Sequence, residues 1–151
     1  MEKSPEVATA VPYNHEKGKY LLMKRSGERN INPGKWEFPS GHIQKKDASE
    51  SISEGNADGH IQKKESPRNA ALRELEEETG LKGTLLKSGK PFTTETEDGI
   101  YRVHPFLVKI DGQPEISREH EKYDWIRPEE LEKYDTVEDL RKDLKQVGAL
   151  D

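Results

Sequence analysis

The sequence predicts a single α/β domain, an α/β/α sandwich around a mixed β-sheet. Segments rich in β-branched and aromatic residues lie on both sides of one stretch with helical periodicity, and helical patterns return near the end of the chain. Strands that flank a helix, with helices again at the end, fit a sheet covered on both faces. At 151 residues, the chain is long enough for one domain with its own core, so we assign residues 1–151 to that domain.

The predicted strands are separated by recognisable turns. They are residues 7–13, 20–25, 92–96, 100–110 and 123–126. A polar turn at 15–19 joins the first pair. Glu97-Asp98-Gly99 joins the third and fourth segments, and its Asp-Gly pair favours a β-hairpin.

The helix predicted for residues 67–79 has a signal at each end. Ser66 suits the N-cap and Pro67 the first helical position, while Gly80 stands where a helix ends. An apolar stripe between these ends would face the sheet; its members are Ala70, Ala71, Leu72 and Leu75. Two further helices are predicted at 128–134 and 136–147, the second capped by Thr136 with Asp139 three residues on.

The helix at 67–79 carries three glutamates on one side. Glu74, Glu77 and Glu78 are related by three and four residues, so their carboxylates point the same way. Like charges at this spacing repel by some tenths of a kcal/mol per pair, which a counter-ion would relieve. Oxygen-rich clusters suit Mg²⁺. A solvated acidic helix face is the alternative that the helix alone leaves open.

A longer pattern surrounds these glutamates. It reads G-x5-E-x7-R-E-U-x-E-E-x-G-U, where U is a bulky aliphatic residue, and it is matched at Gly59, Glu65, Arg73, Glu74, Leu75, Glu77, Glu78, Gly80 and Leu81. This strongly resembles the signature of the Nudix hydrolase superfamily, the Nudix box. The preceding segment 34–41, Gly-Lys-Trp-Glu-Phe-Pro-Ser-Gly, is similar to the strand that leads into the box, with Ser40-Gly41 in place of the usual Gly-Gly.

The resemblance implies a hydrolase that uses Mg²⁺ or Mn²⁺ to cleave the diphosphate linkage of a nucleoside diphosphate derivative. A metal-bound water loses its proton more easily, and metal ions neutralise phosphoryl charge. By the family pattern Glu77 and Glu78 would ligate metal, and Glu74 would ligate metal or act as general base. Arg73 would orient these carboxylates, Glu65 would ligate metal or anchor the loop, and Gly59 belongs to the metal site. A nucleotide-binding or regulatory domain without turnover is the alternative function.

Further candidates lie outside the box. Family members often carry an acidic residue before a late Trp, and Glu119, six residues before Trp125, is the best candidate; an ordinary solvated charge is the alternative. Candidate phosphate contacts are Arg25, Arg29 and Arg102, because guanidinium binds phosphate in a bidentate manner. For His104 and His120 a structural role is favoured over substrate contact.

A short repeat is the second unusual feature. Gly41-His42-Ile43-Gln44-Lys45-Lys46 recurs unchanged at 59–64. The first copy follows segment 36–39 directly, whereas only the second leads into the glutamate helix at the spacing of the box. Either copy could complete the strand, with the other in a loop insertion at about 41–58. Since residues 47–58 are rich in Ser, Asp, Asn and Gly, we expect them to be exposed and mobile, as a tolerated insertion or as a lid or partner-binding loop.

Composition restricts the remaining possibilities. The formal charge of −5 argues against a general nucleic-acid binder. The chain has no cysteine, which excludes disulfides and cysteine zinc sites, and it has no apolar run long enough to span a membrane. We therefore expect a cytoplasmic protein with a small nucleotide as partner, without nucleic acid or membrane, and with a homodimer as one possible state.

Overall fold

The computed structural model of the protein describes residues 4–47, 62–96 and 99–150. Its strands are β1 Glu6–Asn14, β2 Lys19–Arg25, β3 Trp36–Glu37, β4 Ser40–His42, β5 Lys45–Asp47, β6 Gln62–Lys64, β7 Thr84–Ser88, β8 Phe92–Thr96, β9 Gly99–Lys109 and β10 His120–Ile126. Its helices are α1 Pro67–Thr79, a 3₁₀ helix Pro128–Lys133 and α2 Leu140–Gln146.

The main sheet is mixed. Its strands follow the order β10-β2-β1-β9-β7, with β3 paired to β2, β4 to β1 and β8 to β9. Strands β1 and β9 run parallel, and the other pairs of this sheet are antiparallel. Strands β5 and β6 form a separate antiparallel ribbon. The five predicted strands are confirmed, and β3 and β4 correspond to the strand expected around residues 34–41; β5, β6 and β7 were not predicted.

Each face of the main sheet is covered by helices. Strand alternation sends Ala8 and Ala10 of β1 into a core with Leu75 of α1, while Val11 enters the opposite core with Leu140 and Leu144 of α2. The 3₁₀ helix adds the buried side chain of Leu131 to that second core. The predicted α/β/α sandwich is therefore confirmed.

The helices after β10 differ from the prediction. Residues 128–134 were predicted to be helical, and Pro128–Lys133 forms a 3₁₀ helix. The helix predicted at 136–147 begins only at Leu140, so the prediction is wrong for residues 136–139. The reason is that Thr136 bridges Trp36 in parallel, with the Val137 N–H donating to the Trp36 carbonyl at 3.0 Å. Asp139 accepts a hydrogen bond from the Thr94 hydroxyl and does not cap the helix with its side chain.

The first copy of the repeat occupies the strand next to β1. Gly41 pairs with Ala8, and the flanking residues of β4 pair with Val7 and Thr9. The ends of the two copies then pair with each other in the ribbon of β5 and β6. Most of the expected mobile insert, residues 48–58, lies outside the described residues. In the described part of the chain, no helix is long and apolar enough to cross a membrane.

Candidate active site

Helix α1 is fixed at both ends and along one face. The Ser66 hydroxyl accepts from the Asn69 N–H at 3.1 Å, and Gly80 ends the helix with φ of 75° while donating to the Glu76 carbonyl at 2.8 Å. Burial of Ala71 and Leu75 against the sheet sets the rotation of the helix. The glutamates are thereby held beside β4.

Arg73 is hydrogen-bonded to three glutamates of the Nudix box, namely Glu65, Glu74 and Glu77. Its Nε and Nη2 atoms donate to both carboxylate oxygens of Glu65 at 2.8 and 3.0 Å, and Nη1 donates to Glu74 and Glu77, each at 2.9 Å. Nη2 also donates to the His42 carbonyl at 3.1 Å. The hydrogen bonds to Glu65 raise the pKa of Arg73, so the guanidinium stays charged. The orienting role of Arg73 stays a prediction, and these contacts show which groups it would orient.

Glu78 is buried, and Glu74 beside it is partly buried. Burial raises the pKa of Glu74, an effect that Arg73 opposes. Burial, the charge of Glu37 and a hydrogen bond shared with Glu74 raise the pKa of Glu78 to about 10. Glu78 Oε2 is buried and accepts no hydrogen bond from the described residues. Glu77, by contrast, has a side chain that is 54% exposed.

Two residues from other elements meet Glu78 below the surface. His120, at the start of β10, places Nε2 2.8 Å from Glu37 Oε2 and 3.7 Å from Glu78 Oε1. All three side chains are buried, and one ligand atom from each lies within 4.8 Å of the others. This grouping joins α1 to β3 and β10, and it could hold a metal ion.

Glu37 is also the centre of a cationic network. Arg25 Nη1 donates to Glu37 Oε1 at 2.6 Å, and Arg29 Nη1 donates to Glu37 Oε2 at 3.3 Å. Burial alone would raise the pKa of Glu37, but the His120 hydrogen bond and the Arg25 charge outweigh burial and hold that pKa below its ordinary value. Glu119 Oε2 lies 4.0 Å from Arg29 Nη1, and its side chain is 58% exposed.

A cavity of about 340 Å³ lies against this network. Its walls carry the cations Arg25, Arg29 and Lys35, with Glu37 and Glu119 beside them. Backbone from β4 forms another part of the wall, and the His42 and Tyr101 rings pack edge to face there with centroids 5.8 Å apart. Glu138 and Asp139 also line the cavity, so it combines three cations and four carboxylates with aromatic surface, and it borders the strand that touches the glutamates.

Comparison with known proteins agrees with this arrangement. A family model described as the NUDIX domain matches residues 4–147. The chain belongs to the Nudix family. Nucleoside triphosphatase NudI of Escherichia coli is 28% identical over 92% of this chain and 94% of its own length. This supports the predicted enzyme class, a Nudix pyrophosphohydrolase.

Solved structures show the same fold. The MutT protein of Methanosarcina mazei Go1 has a TM-score of 0.72 at 23% identity, covering 97% of this chain and 95% of its own. The NUDIX domain of Shewanella oneidensis NrtR, in complex with ADP ribose, has a TM-score of 0.71 at 17% identity, covering 97% of this chain and 87% of its own.

The structure places most of the residues predicted for the Nudix site in two groups, the acidic network around Arg73 and the cavity lining, and Glu37 lies between them. Glu65, Arg73, Glu74, Glu77 and Glu78 form one contact network, and Arg25, Arg29 and Glu119 border the cavity. Gly59 lies outside the described residues.

Arg102 is placed differently. Its neighbours Tyr101 and Val103 line the cavity, so strand alternation points the exposed Arg102 side chain to the other face of the sheet. Its role as a phosphate contact stays a prediction, one that this geometry does not support.

Glu37, Lys35 and Gly41 border the acidic cluster or the cavity and were not among the predicted site residues. Glu37 carried a signal, because a carboxylate inside the apolar run Trp36-Glu37-Phe38 is buried only with partners. His120 had been assigned a structural role, and its full burial beside Glu37 and Glu78 makes it part of the site's framework.

Proposed function

We propose that this Nudix protein hydrolyses the diphosphate linkage of a nucleoside triphosphate or related nucleoside diphosphate derivative, with Mg²⁺ or Mn²⁺ as cofactor. The observation that carries the proposal is the buried, unpartnered carboxylate oxygen of Glu78 in a cluster with Glu74. Without a cation, the Glu78 carboxyl group keeps its proton beside the Glu74 carboxylate in a poorly solvated site. A divalent cation would displace that proton and compensate the charge of both carboxylates.

The donor set fits such an ion. Glu74, Glu77 and Glu78 would supply carboxylate oxygens, which hard cations prefer, and Glu65 would hold Arg73 in place or add a further oxygen. When bound, the metal would lower the pKa of its water and neutralise charge on the phosphoryl oxygens. His120 Nε2 lies next to Glu78 but is hydrogen-bonded to Glu37, so it would bind a metal only after giving up that contact; an imidazole ligand would favour Mn²⁺ over Mg²⁺.

The cavity supports a phosphate-bearing substrate. Arg25 and Arg29 present guanidinium groups to it, and Lys35 adds a third positive charge. Arg25 and Arg29 are held in place by Glu37, so little side-chain entropy would be lost when a phosphate binds to either guanidinium group. The similarity to nucleoside triphosphatase NudI favours a nucleoside triphosphate within this class.

The remaining roles concern proton transfer and orientation. Glu74 and Glu119 are the candidates for a group that accepts a proton from the attacking water; Glu119 borders the cavity and Glu74 touches β4. Arg73 keeps Glu74 and Glu77 oriented through charge-assisted hydrogen bonds. A cytoplasmic location and a homodimer remain predictions.

The test is a panel of nucleoside triphosphates and diphosphate-linked nucleotides incubated with the protein and Mg²⁺ or Mn²⁺, with the products separated by chromatography. We expect a nucleoside monophosphate and pyrophosphate from the best triphosphate. Glu78→Gln should lower turnover at least about 100-fold, because it removes a charge that acts in the transition state.

Glu76→Gln is the matched control, since Glu76 lies on the same helix and is exposed. Turnover that persists in excess chelator, or a Glu78→Gln variant as active as Glu76→Gln, would refute the proposal. Tight nucleotide binding without turnover would instead support the ligand-binding alternative.

A further inference from the structure

Among the described residues, the first copy of the repeat contacts Glu65 and the glutamate helix that follows it. Gln44 exchanges two hydrogen bonds with Glu65: its carbonyl accepts from the Glu65 N–H at 2.7 Å, and its own N–H donates to Glu65 Oε1 at 3.1 Å. The His42 carbonyl accepts from Arg73 at 3.1 Å. In sequence, however, the glycine at box spacing from Glu65 is Gly59, in the second copy.

Gly41 is the residue of the first copy that comes nearest to the carboxylates. A Cβ atom built at Gly41 would lie 2.1 Å from Glu74 Oε2 and 2.3 Å from Glu74 Cδ. No side chain fits at this distance while Glu74 keeps its position. The overlapping atoms are the far end of a flexible side chain, so an added methyl would displace the carboxylate and leave the strand in place.

We propose that Gly41, and not Gly59, is the glycine of the functional Nudix box. The box would then be discontinuous in sequence: its glycine comes from the first copy, and its glutamates follow the second. Gly41 acts as a positioning residue, because its lack of a side chain lets β4 lie against the Glu74 carboxylate. The importance of Glu74 for metal binding rests on the proposed function.

The path of the backbone supports the first copy. Gly41 pairs with Ala8 in the ladder between β4 and β1, and only one residue can occupy the position opposite Ala8. Just before it, the Pro39 carbonyl accepts from the Ala10 N–H at 2.9 Å. The chain therefore enters β4 from Pro39 without interruption. Both copies have the same sequence, so this continuity, and not side-chain preference, selects the first.

The experiment makes the same substitution in each copy. Gly41→Ala and Gly59→Ala are compared with the parent for Mn²⁺ affinity by calorimetry, for thermal unfolding, and for turnover of the best nucleotide. Gly27→Ala is the matched control, because a Cβ at Gly27 would meet only Glu121 Oε1 at an ordinary 3.8 Å.

We expect Gly41→Ala to weaken Mn²⁺ binding about 10-fold or more and to lower kcat more than it changes KM, with the unfolding temperature shifted by only a few degrees. Gly59→Ala and Gly27→Ala should bind Mn²⁺ like the parent. Loss of binding in Gly59→Ala, equal losses in both copies, or parent-like binding in Gly41→Ala would each overturn the proposal.

Two further variants keep the test decisive. If Gly41→Ala fails to fold, the double variant Gly41→Ala/Glu74→Asp should fold, because the shorter carboxylate leaves room for the methyl group. A double variant that also fails to fold would refute the proposed contact between position 41 and Glu74. In a chain that lacks residues 41–58, Gly59 is the glycine that follows Ser40, so Gly59→Ala should there weaken Mn²⁺ binding as Gly41→Ala does in the parent. Mn²⁺ affinity and unfolding are measured without substrate, so a failure to hydrolyse nucleotides would count against the proposed function and not against Gly41.

Discussion

Replacing Glu78 by glutamine should make the metal-free protein less sensitive to rising pH. Burial raises the pKa of Glu78 from 4.5 to about 10 in the folded protein. Below pH 4.5 both folded and unfolded chains hold this proton, and above it only the folded chain does. The contribution of Glu78 to stability is therefore greatest at low pH and is lost as the pH rises toward the folded pKa. Glutamine has a similar shape and no proton to release.

The size of the effect follows from one proton. Between pH 6 and pH 8 the unfolded chain has released it and the folded chain retains it, so stability falls by about 1.4 kcal/mol per pH unit, or about 2.7 kcal/mol in all. For a domain of this length, that corresponds to a fall of about 5–10 °C in unfolding temperature. Asp143, whose pKa is also raised by burial, contributes equally to parent and variant.

The assay is thermal unfolding at pH 6, 7 and 8 in chelator for the parent, Glu78→Gln and the exposed control Glu76→Gln. The parent and Glu76→Gln should lose about 5–10 °C more than Glu78→Gln over this range. Saturating Mn²⁺ should remove the difference in slope, because a bound cation favours the ionised carboxylate. Parallel curves for parent and Glu78→Gln in chelator would show that the folded protein does not hold this proton.

Three other predictions address the framework of the site. Arg73→Lys loses the paired hydrogen bonds to Glu65, so the free energy of unfolding should fall by about 1–3 kcal/mol, and Mn²⁺ affinity should fall with it. A urea unfolding curve and a calorimetric Mn²⁺ titration that are both identical to the parent's would contradict this expectation. Leu75→Ala empties a fully buried position between α1 and the sheet and should cost about 2–5 kcal/mol in urea unfolding, whereas a loss below 1 kcal/mol would mean that the core closes around the gap. Deleting residues 41–58 leaves one copy of the repeat before Glu65, so the chain should fold with a stability within about 1 kcal/mol of the parent and keep its metal-dependent activity; an unfolded product in circular dichroism would show that both copies are structural.

Local signals explain why α1 was predicted with its correct ends. Ser66 and Gly80 act through contacts within a few residues, and those contacts are present in the structure. The start of α2 was wrong for the opposite reason. Thr136 and Trp36 are far apart in sequence, and their β-bridge holds the backbone around Thr136 in an extended conformation that a helix cannot include.

The same distinction applies to the site. The box glutamates and Arg73 lie within one short segment, so their spacing already placed them together. Glu37 and His120 meet only because β3 and β10 both pair with β2. The choice between Gly41 and Gly59 had no local signal, since the surrounding residues are identical in both copies.

The ribbon of β5 and β6 has a consequence for protein engineering. It holds Asp47 opposite Gln62, so the two ends of the intervening segment lie side by side. A foreign domain whose own termini are close together could be grafted between them without separating β4 from α1. Because the ribbon leads directly to Glu65, a grafted receptor that changes shape on binding its ligand would act mechanically on the anchor of Arg73. The repeat therefore marks a position where the catalytic output of this enzyme could be coupled to a chosen chemical signal.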